Sequence, residues 1–273
     1  KLFQRLLVAP AALGLMAPVA ANADTAFAST TTLSGTAVFT VGSVSDGGPL
    51  DSQEELYMQY AYELDITSSF TGEDTFYAGI EAGNASGPLA DIDSAVEGGD
   101  GLNVHSLFYS FPVGDLAVTV GPLVDQDDVV AATPSAYSDA FMLSSMPFSL
   151  AGAETGAGIA VEYSNDNGLV ASVSYISSDG DSPTVGIASD DGDDVATFTL
   201  GYNGDGFGGG LVVTTQDGDS TGGLGEYNTF GGGVYYSPES IPATISVAYD
   251  TVDFDGLGVE ASDFFVGVEY EAG

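Results

Sequence analysis

The sequence lacks cysteine and tryptophan, has one histidine, and carries only two basic residues, Lys1 and Arg5, against 40 Asp and Glu. Each absence excludes something. Without cysteine there is neither disulfide support nor a thiolate metal site. With His105 as the sole imidazole, a Ser-His-Asp arrangement or a histidine-based zinc set is poorly supplied, and His105 itself reads as a strand residue at a lipid interface or in a lumen. Paired carboxylates abound, but nothing singles out a pair with separated protonation, as glycoside hydrolysis requires. The sequence therefore reads as non-enzymatic, with no cofactor and no specific metal site. A net charge of −38, with nothing basic after Arg5, makes nucleic acid a poor partner and cations the natural ones.

Long apolar runs are also missing beyond Ala23. None approaches the roughly 18 residues that mark a transmembrane helix, so a membrane could hold this chain only through strands. The one apolar run, Leu6 to Ala21, follows Lys1 and Arg5 and ends in Ala21-Asn22-Ala23. A basic start, an apolar stretch and an A-x-A site read as a secretory signal peptide over 1–23, cut before Asp24. Pro10, Gly14 and Pro18 interrupt that run as a spanning helix. Residues 24–273 then form a single exported domain. Hydrophobic residues at 44 % and aromatics at 11 % give it ample surface to bury, which argues against disorder despite the charge.

What is present is a period of two. From 55 to 67 the even positions are Leu56, Met58, Tyr60, Tyr62, Leu64 and Ile66, whereas the odd ones include Glu55, Gln59, Glu63, Asp65 and Thr67. The pattern recurs in Phe76/Ala78/Ile80 against Thr75/Tyr77/Glu81, in Ala196/Phe198/Leu200/Tyr202 against Thr197/Thr199, and in Ile245/Val247/Tyr249 against Ser246/Asp250. About twelve such strands are predicted, near 33–44, 55–67, 74–84, 103–112, 115–121, 156–164, 168–177, 195–203, 206–216, 226–237, 242–252 and 261–271. Turn clusters such as Asn165-Asp166-Asn167-Gly168 and Asn203-Gly204-Asp205-Gly206 separate them, which favours antiparallel hairpins over parallel units. The fold class is all-β, an antiparallel up-and-down barrel.

The polar face decides between a soluble sandwich and a transmembrane barrel. A sandwich normally mixes both charge signs on its wet face and uses lysine to blunt its edges. Here no lysine follows Lys1. In a transmembrane barrel the polar face lines water, the apolar face meets lipid, and aromatics gather at the interfaces. Tyr109, Phe111, Tyr163, Tyr175, Tyr202, Tyr235, Tyr236, Tyr249 and Tyr270 stand at strand ends as candidates for such girdles.

One stretch breaks the hairpin rhythm, from 122 to 150, PLVDQDDVVAATPSAYSDAFMLSSMPFSL. A connection this long is usually functional or disordered, and its Val, Phe, Met and Leu content disfavours disorder. Folded into a barrel, it would place Asp125, Asp127, Asp128 and Asp139 at a constriction; folded outward, it would cover the mouth. Strand parity gives Glu63, Asp65, Glu81, Glu162, Asp250 and Glu269 as pore-lining groups. Asp179-Gly180-Asp181 and Asp190-Asp191-Gly192-Asp193-Asp194 are oxygen-rich loops of the calcium-binding kind, but no segment keeps the EF-hand spacing. They read better as solvated loop charge.

The opening KLFQRLLVAPAALGLMAPVAANA, the segment STTTLSGTAVFTVG at 29–42, and above all FYSFPVGDLAVTVGPLVDQDD at 108–128 with PSAY at 134–137 resemble the cyanobacterial outer-membrane porins. These are the OprB-type carbohydrate-selective porins, whose marine members are often called iron-uptake porins. The resemblance implies a trimeric barrel of about sixteen strands in outer-membrane lipid that passes small solutes passively. The sequence departs from that pattern in three places. No S-layer-homology or coiled-coil segment stands between Ala23 and the STTT strand, so a wall anchor is not expected. Ser106, Leu123 and Asp125 stand where the family tends to carry basic residues, which weakens any inference of anion affinity. The chain stops at VGVEYEAG, short of the family's closing strand, and so reads as C-terminally incomplete or shortened. The function expected is a porin for small hydrophilic solutes, namely inorganic cations including iron species and carbohydrates, with a cation-favouring pore. An exported soluble acidic β-protein that binds calcium or acts at a surface is the alternative.

Overall fold

The computed structural model describes residues 30–43, 55–90, 95–98, 100–132, 155–189, 192–217, 226–238, 241–255 and 258–270. The candidate signal peptide lies outside them. Twelve strands are described: β1 (Thr31–Gly42), β2 (Tyr57–Ser68), β3 (Thr75–Gly83), β4 (Asn103–Val113), β5 (Leu116–Val124), β6 (Gly156–Ser164), β7 (Leu169–Ser177), β8 (Asp194–Gly204), β9 (Phe207–Asp217), β10 (Tyr227–Tyr236), β11 (Ala243–Phe254) and β12 (Val259–Tyr270). They lie in one sheet in chain order. The all-β, antiparallel up-and-down class predicted from alternation is therefore what the chain adopts, and most strand ends fall within about two residues of the predicted ones. β5 is the exception. It runs on to Val124 through a shift of register between Gly121 and Val124, an irregularity of the sort that lets Pro122 stand inside a strand. The long connection thus begins at Asp125 rather than at Pro122.

Contacts divide the chain into two compact units, residues 1–107 with 139–143 and residues 108–138 with 144–273. In the first unit β1 zips onto β2 from Thr31↔Ser68 to Gly42↔Tyr57, and β2 onto β3 from Ala61↔Gly83 to Ser68↔Phe76. The β2–β3 turn is tied by the Asp74 carboxylate, which accepts the backbone N–H of Phe70 at 3.0 Å and of Thr71 at 2.6 Å, and the hydroxyls of Ser69 and Thr71 at 2.7 Å. A short 3₁₀ turn at Gly87–Leu89 caps the other end of the hairpin, where Gln59 Nε2 donates to the Leu89 carbonyl at 2.7 Å and the Leu89 N–H donates to Tyr57 Oη at 2.9 Å.

In the second unit large apolar side chains line the exposed face of the sheet, and the buried face mixes hydroxyls with apolar residues such as Val170, Ile176, Val195, Val212 and Val252. Ser172, Ser174, Thr197, Thr199, Thr214 and Ser246 are buried, while Val173, Phe198, Val213 and Phe230 are exposed. Those four apolar residues are register partners, Val173↔Phe198↔Val213↔Phe230, so they form one continuous row across β7 to β10. The buried hydroxyls form a matching ladder on the other face. Ser172 Oγ lies 2.6 Å from Thr199 Oγ1, and Thr197 Oγ1 lies 3.2 Å from Thr214 Oγ1. Of the tyrosines expected at strand ends, Tyr202, Tyr236 and Tyr270 are exposed there, whereas Tyr249 and Tyr109 stand near the middle of β11 and β4. Tyr109 stacks on Phe111 within β4 and Tyr202 on Phe207 across the β8–β9 turn, with ring centroids 5.6 and 5.2 Å apart. Among the described residues no helix is long and apolar enough to cross a membrane.

Candidate pore wall

The acids predicted from parity fall into separate groups. In the first unit Glu63 stands directly opposite Glu81 across the β2–β3 pair, and Asp65 is two residues further along the same face, opposite Gly79. The nearby polar groups hold these carboxylates. Asp65 accepts Tyr77 Oη at 2.6 Å and Ser34 Oγ at 3.3 Å, and Glu63 Oε1 lies 3.2 Å from His105 Nε2. His105 reaches Glu63 from β4 by passing over Gly79 of β3. A Cβ at position 79 would come within 2.3 Å of Nε2, so the crossing depends on glycine having no side chain.

In the second unit the start of the long connection folds back onto the buried hydroxyl face. A 3₁₀ turn at Asp127–Val129 buries Val129 in a small apolar cluster with Val124, Ala160 and Ile176, against which Phe108 packs. Gln126 is fully buried and its Nε2 donates to Thr197 Oγ1. The Ala131 N–H donates to Ser172 Oγ at 3.1 Å, and Asn203 Nδ2 donates to the Ala131 carbonyl at 3.3 Å. Ala132 is buried against two glycines that are register partners, Gly201 and Gly210. A Cβ at either would sit 2.8 Å from the Ala132 Cβ. Buried residues on either side thus anchor the segment, while Asp127 and Asp128 between them remain exposed.

Of the proposed constriction acids, Asp125 accepts Thr155 Oγ1 at 2.7 Å and the Asp127 N–H at 3.0 Å. Asp128 is near enough to Glu162 of β6 for their charges to be felt by one another. Asp139 lies outside the described residues. Glu162 itself faces Ala117 and Ser172 in register. Asp250 is almost wholly buried on β11, between Gly231 of β10 and Asp263 of β12. Glu269 pairs with Thr244 and stands apart from Asp250 along β12.

Three participants lie outside the set of acids expected from strand parity. Asp263 shares its odd position with Glu269 and could have been found from that. Gln126, flanked by aspartates, gave no sign that it would be buried. The partnership of His105 with Glu63 joins strands that are not neighbours, which no local pattern encodes. Of the oxygen-rich loops, Asp190 and Asp191 lie outside the described residues, and Asp179 Oδ2 is engaged by the Asp193 N–H at 3.2 Å. Among the described residues no group of three or more His, Asp or Glu is placed to hold a metal ion.

No family model matches the sequence, and no curated protein matches it. Solved structures do. A five-substitution mutant of the Rh. blastica porin superposes with a TM-score of 0.58 at 18 % identity, covering 89 % of this chain and 80 % of that one. A triple mutant of the same porin gives a TM-score of 0.56 at 18 % identity with the same coverage. At that identity the likeness is one of architecture, and the chain has the fold of a bacterial porin.

Proposed function

We propose that this protein is an outer-membrane porin through which small hydrophilic solutes diffuse passively, and that its acidic wall favours cations. The observation that carries the reading is the sidedness of the second unit's sheet, with a continuous apolar row exposed across β7 to β10 and Ser172, Thr199, Thr214 and Asp250 among the residues of the buried face. A sheet of that kind suits lipid on one side and water on the other. The segment at 125–132 adds to it, because it holds Asp127 and Asp128 exposed next to that inner face. Carboxylates in such a place raise the local cation concentration and repel anions. The field of exposed charges reaches about 10 Å at 0.1 M salt and about 3 Å at 1 M, so cation preference should weaken as salt rises.

The rest of the reading follows the resemblance to the OprB-type, or iron-uptake, porins of cyanobacteria. Residues 1–23 act as a cleaved signal peptide, the barrel sits in outer-membrane lipid as a homotrimer, and iron species and carbohydrates are among the permeant solutes. Asp139 joins Asp125, Asp127 and Asp128 at the constriction, with Glu63, Asp65, Glu81, Glu162, Asp250 and Glu269 along the wall. The direct test is the reversal potential of the reconstituted protein in a planar bilayer under a potassium chloride gradient. Potassium should be favoured over chloride, more strongly at about 0.1 M than at about 1 M. A potential favouring chloride would rule out the acidic pore, and a protein that stays in a detergent-free supernatant is not a porin.

A further inference from the structure

His105 is the only histidine, and no lysine or arginine follows Arg5. It is therefore the only side chain beyond residue 5 that can gain a positive charge. Its Nε2 lies 3.2 Å from Glu63 Oε1 and is itself covered, while the two side chains as wholes are 25 % and 46 % exposed. The groups around it are nearly all acids. β2 presents Glu63 and Asp65, and β3 presents Glu81 opposite Glu63, with Tyr77 bonded to Asp65. The only other titratable residue on β4 is Tyr109, and β1 and β5 carry none in Thr31–Gly42 and Leu116–Val124. Like charges directly opposite each other on neighbouring strands repel, and the imidazole stands beside one member of that pair.

We propose that His105 is a specificity-determining residue of this acidic wall: when its ring gains a proton, it cancels one charge of the Glu63, Glu81 and Asp65 group and lowers the preference for cations. The proposal rests on the porin reading. Histidine changes charge between about pH 5 and pH 8, above the range in which ordinary carboxylates do. Gly79 is its positioning partner, since a side chain there would push the ring off Glu63.

The test is the potassium-to-chloride permeability ratio of the full chain in planar bilayers at about pH 8 and about pH 5.5. One charge a few ångströms from a passing ion in a water-filled channel alters its local concentration roughly threefold. The wild-type ratio should thus fall about two- to threefold on acidification, and the H105Q variant should show less than half of that response. G79V, which displaces the ring and leaves every carboxylate in place, should also blunt it. Heat-modifiable migration in detergent identifies folded variants. Equal responses to pH in a conducting, cation-selective wild type and in folded H105Q and G79V would overturn the role of His105 alone. A folded wild type that conducts nothing, or that favours chloride at pH 8, would overturn the porin reading and this proposal together.

Discussion

Asp74 is the residue whose bonding is most concentrated. Its carboxylate is 5 % exposed and accepts two backbone N–H groups and two hydroxyls of the turn from Ser69 to Thr71. Hydrogen bonds to a charged acceptor are stronger than neutral ones, and orphaned buried donors are costly. Replacing Asp74 by alanine leaves the Phe70 and Thr71 N–H groups without that acceptor and should destabilise the fold by about 1–3 kcal/mol, with asparagine costing less because it keeps one oxygen. Urea unfolding in lipid vesicles followed by tyrosine fluorescence measures the difference, and equal stability of the three proteins would show the turn to be held by other means. Strand parity put Glu63, Asp65 and Glu81 on one face, and the β2–β3 register sets Glu63 opposite Glu81. Their partners were not legible in the sequence, because a side chain such as His105 crosses a strand only where a glycine such as Gly79 permits it, and sequence spacing carries no record of that reach.

The strands were legible because one face was consistently apolar and Asn, Asp and Gly clusters stood between them. The segment expected at 156–164 is the strand Gly156–Ser164. The apolar content of the long connection also signalled that it would pack on something, as Val129 and Ala132 do. Its seat was hidden, since Gly201 and Gly210 lie on separate strands and become neighbours only through the β8–β9 register. That seat makes a prediction about packing. Gly210→Ala puts a methyl 2.8 Å from the Ala132 Cβ and should cost about 1–3 kcal/mol by overpacking. Ala132→Gly removes the opposing methyl, so the double variant should recover much of the loss. A double-mutant cycle by urea unfolding should give a coupling of about 1 kcal/mol. Strictly additive effects would mean that the segment at 125–132 does not rest on these glycines.

For the molecule as a whole, the placement of polar and apolar faces separates a membrane barrel from the soluble acidic alternative, and one substitution distinguishes them. Phe198 is 49 % exposed in the middle of the row Val173↔Phe198↔Val213. If that row faces hydrocarbon, Phe198→Lys places a charge in lipid and should destabilise the folded state by about 2–4 kcal/mol near the bilayer midplane. If it faces water, the same change removes an exposed apolar side chain and should leave stability within about 0.5 kcal/mol of the wild type. Thr215→Lys is the internal control: it is exposed on β9 two residues from the strand end, where a lysine can reach the headgroups and costs about 0–1 kcal/mol. Unfolding free energies of the three proteins in phosphatidylcholine vesicles give the answer. A large penalty at 198 with little at 215 requires an apolar medium around the sheet, because no aqueous surface would distinguish two exposed positions so sharply.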